Sequence, residues 1–142
     1  LDALAARLAA RQRFRIDPKL IERGRRAARG RNVEAMIDAD VAFHQAIYAA
    51  SGNPLIAQSA DPHWRHLRRA MGAVLQAEPQ RETLWDEHEA IAEAIAAGNA
   101  DRAARLSEEH VSRASEALSE RLLAHAASPH TAITPKQKGD KA

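Results

Sequence analysis

Five breaks of one chemical kind divide this chain and leave room for helices and little else. Asp17-Pro18 pairs an N-cap residue with a proline at the first helical position, where the missing N–H costs nothing. Gly30 ends one segment and Asn32 can cap the next. Ser51-Gly52-Asn53-Pro54 offers a left-handed C-terminal cap, then a new N-cap and N1 residue, so two helices should meet there in a sharp turn. Glu78-Pro79 breaks the pattern again, and Gly98-Asn99 repeats the glycine-then-cap arrangement. Between these marks apolar residues recur at helical spacing, with Leu1, Leu4 and Leu8 on one stripe of the first segment. Six helices are expected, over roughly 1–12, 18–30, 32–51, 54–76, 81–97 and 99–124. Pro62 lies inside the fourth and predicts a kink or local unwinding near residues 59–61. No strand alternation, internal repeat or glycine-rich phosphate loop interrupts this pattern.

Composition agrees with an all-α antiparallel bundle around a central pocket. Apolar residues make up 45% of 142, yet aromatics only 4%, so alanine and leucine must build the core of a single domain. Lys136, Lys138 and Lys141 with Asp140 account for the whole formal charge of +2, which leaves residues 1–127 near neutral. The basic isoelectric point is thus no sign of nucleic-acid binding by the folded part. Residues 128–142, with Pro129, Pro135 and scattered lysines, read as a disordered tail. The absence of cysteine excludes disulfides and thiolate metal sites and suits a reducing cytoplasm. No apolar run is long enough to span a bilayer and no signal peptide opens the chain, so a soluble intracellular protein is expected.

Four side chains within this frame are metal-ligand types at telling positions. Asp40 and His44 are four residues apart, separated by only about 40° around a helix axis, so both project from one face. His88 lies ten residues before Gly98 and His110 eleven after Asn99. If the two flanking helices form an antiparallel hairpin, both histidines stand about 16 Å from its turn, at nearly the same level. Apolar neighbours share their phase: Tyr48 beyond His44, Ile91 and Ile95 beyond His88, and Ala103, Leu106, Ala114 and Ala117 around His110. A buried imidazole without a partner is costly, so something should satisfy these rings. Three histidines and one carboxylate suit a borderline divalent ion, zinc first, with nickel, cobalt, manganese or iron as alternatives.

The remaining polar residues divide into fewer roles. Arg65, Arg68 and Arg69 follow Trp64 on the fourth helix, and a guanidinium turned toward the metal would bind a carboxylate in bidentate fashion while the ion takes another oxygen. Metal plus arginine makes a receptor for a small organic acid, with Arg68 ranked first and Arg65 second. A solvated helix face is the plainer alternative for such a charge run. His63 and His66 lack a matching acid and read as surface residues, and His125 and His130 belong to the frayed end and tail. Trp64 and Trp85 read as packing anchors, and Asn53 as a cap.

Asp40-Val-Ala-Phe-His44, Ser51-Gly-Asn-Pro-Leu55, His88-Glu-Ala-Ile-Ala-Glu-Ala-Ile-Ala-Ala-Gly-Asn99 and His110 together resemble the FCD domain, the C-terminal ligand-sensing part of the FadR branch of GntR-family bacterial transcription regulators. The resemblance runs from about Leu1 to Ala124, and six helices look like the VanR-type subgroup. It implies a metal held by Asp40, His44, His88 and His110, a carboxylate effector beside it, and homodimerisation. It also implies control of operator DNA through an N-terminal winged helix-turn-helix domain absent from these 142 residues. Two readings compete with it. A metal-dependent enzyme acting on a small organic acid could use the same four ligands, but Glu87 and Glu89, the acids nearest in sequence, do not share the face of His88. A metal-free structural bundle would use the histidines for packing alone.

Overall fold

A computed structural model describes residues 1–74 and 82–127. Six helices follow in order: α1 (Asp2–Arg11), α2 (Pro18–Arg29), α3 (Val33–Ala50), α4 (Pro54–Val74), α5 (Glu82–Ala96) and α6 (Ala100–Ala127). The expected break at Glu78-Pro79 and the tail from 128 lie outside the described residues. Among the described residues no strand occurs, and the chain is an all-α bundle. No described helix is long and apolar enough to cross a membrane.

Local chemistry sets the helix ends as the sequence predicts. The Asp17 carboxylate accepts from Lys19 N, Asn32 Oδ1 from Ala35 N, Asn53 Oδ1 from Leu55 N and Asn99 Oδ1 from Arg102 N. Gly52 and Gly98 take positive φ values of 72° and 76°, a region open to glycine at little cost. Gly30 does not: it stays right-handed, and the left-handed residue of that turn is Arg31. α4 runs through Pro62 without interruption, so the proline removes one donor but does not unwind the helix.

α1 lies against α6, α3 and α5, and α2 against α3 and α5, while α3 and α6 both hold α4. The buried face of α1 is not the predicted leucine stripe. Ala5, Ala6, Ala9 and Ala10 are fully buried, whereas Leu1 and Leu4 are about half exposed. A helix wedged among three others needs small side chains where the backbones approach, so Leu1 and Leu4 turn outward while Leu8 stays partly buried against the core. One contact of the same kind fixes α2 on α5. Gly24 meets the Trp85 ring so closely that a Cβ built there would lie 1.9 Å from it. Trp85 is itself buried and packs on His88, with ring centroids 4.5 Å apart. Three turns gather at one end of the bundle, where Gln12 reaches Gly52 and Arg13 reaches Gly98. Past His110 the covering stops: Val111 and Ala114 are exposed, so the apolar phase predicted to continue through Ala114 is not core.

Candidate metal centre

Asp40, His44, His88 and His110 converge from α3, α5 and α6, all four buried, with one ligand atom of each within 4.8 Å of all the others. The i, i+4 pair projects from one face of α3, and the α5–α6 hairpin brings its two histidines to the same level, with ring centroids 4.6 Å apart. The His44 ring lies 5.5 Å from each of the other two. Asp40 Oδ1 stands 3.3 Å from His88 Nε2 and 3.9 Å from His44 Nε2. Donor separations around a tetrahedral ion with ~2.0–2.1 Å bonds are about 3.4 Å, so the cluster needs only a small contraction to close on a cation.

Two carboxylates orient two of these rings. Asp2, in the first turn of α1, takes the His44 Nδ1 proton at 2.7 Å, and Glu87 Oε2 takes that of His110 Nδ1 at 2.8 Å. A carboxylate only accepts, so each ring carries hydrogen on Nδ1 and presents Nε2 inward. This is the arrangement in which metal-binding histidines are held in protein sites. His88 differs: it is fully buried and neither Nδ1 nor Nε2 has a hydrogen-bond partner among the described residues. An unsatisfied polar group in a core costs about 1–3 kcal/mol. Phe43 and Trp85 offer the ring no acceptor, and the Asp40 carboxylate, 3.3 Å from Nε2, makes no hydrogen bond to it. A divalent ion ligated by one nitrogen removes that cost in part, so the residues present fit a metal.

Burial and neighbouring charge move the four ionisable groups in different directions. Burial, with the charges of His44 and His110, holds the His88 pKa well below the ordinary histidine value, so the ring is neutral and has a lone pair to give. Burial and His44 also lower His110, against the pull of Glu87. Burial raises the Asp40 carboxyl, against the opposing charges of His44 and His110. For His44 burial opposes the charged form, but the Asp2 hydrogen bond and the charges of Asp40 and Asp2 outweigh it and raise the pKa. Asp2 shows the converse: despite its burial, His44 and Tyr48 bring it down to about 2.

Asp2 and Glu87 are the residues that sequence reasoning missed. Nothing local ties Asp2 to a histidine 42 positions away, and an acid in a first helical turn reads as a dipole partner. Glu87 lies off the face of His88, yet its longer side chain crosses to α6, where Oε1 also accepts from Arg113 Nε at 3.2 Å. It is therefore beside the cluster but already engaged. Glu89 is paired with Arg25. The two arginines assigned to the pocket lie on an exposed part of α4, Arg68 bonded to Asp38 Oδ1 at 2.7 Å and Arg65 3.9 Å from Asp61. Trp64 contributes more than packing, since its ring lies 5.1 Å from that of His44 and its Nε1 donates to Tyr48 Oη. Trp64 and Tyr48 also line an open cleft of about 500 Å³ between α3 and α4, and screen His44 from it.

Neither the curated proteins nor the solved structures searched contain a match to the chain. A family match does exist, and it covers residues 1–113, all six helices in part or whole and all four clustered ligands. The chain therefore belongs to the FCD domain family, the effector-sensing domains of GntR-family regulators.

Proposed function

We propose that this chain senses a small organic acid for a bacterial transcription regulator, holding a divalent ion, zinc first, on Asp40, His44, His88 and His110. The acid's carboxylate completes the coordination of the ion. Arg68, released from Asp38, is the guanidinium assigned to the acid, with Arg65 second. Occupancy alters the affinity of a separate N-terminal winged helix-turn-helix domain for its operator, in a cytoplasmic homodimer. The effector must bind the DNA-competent and released arrangements with different affinities, because equal affinity shifts no population.

The observation that carries this reading is the buried quartet itself, above all His88 with both nitrogens unpartnered. When bound, the ion supplies a Lewis-acidic anchor for acid oxygens. The chain's own residues orient the rings, keep water from the core and hold the Nδ1 protons on Asp2 and Glu87. An enzymatic reading needs a free general base, and Glu87, the acid beside the cluster, is engaged by His110 and Arg113.

Purification without chelator or nickel resin, followed by elemental analysis, tests the site. About one equivalent of metal is expected, and less than about 0.2 with no rebinding rejects it. Calorimetric titration with hydroxy acids, sugar acids and dicarboxylates then tests sensing. Binding without turnover is expected, and sustained His88-dependent product formation would make the protein an enzyme. Arg68→Ala should weaken acid binding and leave metal content intact; unchanged acid affinity removes Arg68 from the site.

A further inference from the structure

Asp2 is the point at which α1 touches the candidate metal centre. One of its oxygens, Oδ1, accepts from His44 Nδ1 at 2.7 Å and from Tyr48 Oη at 2.8 Å, and Tyr48 Oη accepts in turn from Trp64 Nε1 at 3.2 Å. The sequence of donors runs Trp64 to Tyr48 to Asp2, with His44 entering from the other side. One carboxylate oxygen joins α1 to α3, and the Tyr48 hydroxyl extends the chain of bonds to α4. His110 is held differently, because Glu87 stands on α5 and closes a contact within the hairpin. Of the two orienting carboxylates, Asp2 alone belongs to an element that supplies no ligand.

We propose that Asp2 is a positioning residue for the metal, fixing the His44 ring with Nε2 turned to the ion, and that through it metal binding secures the first turn of α1. The inference rests on the metal reading given above. The physical basis is reciprocal. A carboxylate behind a ligating histidine raises its basicity and fixes its orientation, and loss of such a partner typically lowers metal affinity by about 10–100-fold. A cation held by Nε2 would polarise the ring and make Nδ1–H a stronger donor to the same carboxylate, and the Ala5 N to Leu1 O bond that closes the first turn of α1 would be held with it.

The experiment uses the full chain with zinc as the probe, its affinity measured by competition with a chromophoric chelator in wild type, Asp2→Asn, Asp2→Ala and Arg7→Ala. Arg7 pairs α1 with Asp101 of α6 and touches none of the ligands, so its variant loosens α1 alone. Expected is a graded loss: affinity nearly unchanged in Arg7→Ala, weaker in Asp2→Asn, whose carbonyl still accepts from Nδ1, and about 10–100-fold weaker in Asp2→Ala. Hydrogen exchange of the Ala5 to Leu8 amides should slow on adding zinc in wild type and Arg7→Ala but not in Asp2→Ala, while α3 amides slow in all three. No zinc binding by wild type defeats the metal reading. Zinc binding that is equal in wild type and Asp2→Ala, or equally weakened by Arg7→Ala and Asp2→Ala, overturns the positioning role. Should Asp2→Ala fail to fold, Asp2→Asn decides alone, a loss of at least threefold being required and an unchanged affinity overturning the proposal.

Discussion

His88 is the residue where stability and binding pull in opposite directions. Its ring fills core space among Phe43 and Trp85, but its nitrogens make no hydrogen bond, with only the Asp40 carboxylate near Nε2 at 3.3 Å, so in the absence of metal the ring is a poorly satisfied polar burial. His88→Leu, close in volume and wholly apolar, should make the chain more stable than metal-free wild type by about 1 kcal/mol, and unresponsive to zinc. Urea unfolding in the presence of chelator measures the first and added zinc the second; a less stable variant would mean that the nitrogens are satisfied. Gly24 is constrained from the opposite side of the same ring stack. Gly24→Ala places a methyl inside the van der Waals radius of Trp85, whose displacement carries His88 with it, and should cost about 1–3 kcal/mol in urea unfolding. Unchanged stability would show that α2 can move aside. The convergence of Asp40, His44, His88 and His110 was legible in the sequence because i, i+4 spacing and equal distances from a hairpin turn are geometric facts of helices. Asp2 and Glu87 were not, because each reaches its histidine across a packing contact that no periodicity encodes.

At the scale of the helix, capping chemistry is the most readable information in the chain. Asp17, Asn32, Asn53 and Asn99 all bond backbone amides just beyond themselves, an interaction decided within three residues and indifferent to the rest of the fold. Which face a helix buries is decided by its neighbours. α1 therefore turned its alanines inward and Leu1 and Leu4 out, against the plain reading of hydrophobic spacing, and the middle of α6 left Ala114 exposed. Pro62 is the one internal conflict between residue and element, since α4 continues past it with a donor missing. Pro62→Ala should return that donor and raise stability by about 1–3 kcal/mol, read as a higher urea midpoint at constant slope. No gain would show that the neighbouring turn has adapted to the proline at no cost.

For the whole molecule, a cation bound at the buried centre shared by α3, α5 and α6 would tie the native state to metal by mass action. Zinc at a hundredfold excess over its dissociation constant adds about 2.7 kcal/mol, which for a domain of this size corresponds to roughly 10 °C in melting temperature. Calorimetric scans before and after chelation, with His110→Ala as the control, should show that interval in wild type and none in the variant. A melting point indifferent to chelation would remove metal from the folding equilibrium. Topology adds a mechanical consequence. Gln12 and Arg13 lie against the turns at Gly52 and Gly98, whereas the beginning of α1, about 15 Å away, meets the centre through Asp2. A helix held near both ends transmits a pull along its axis, so a segment joined ahead of Leu1 would act on a point one residue from the carboxylate that holds His44.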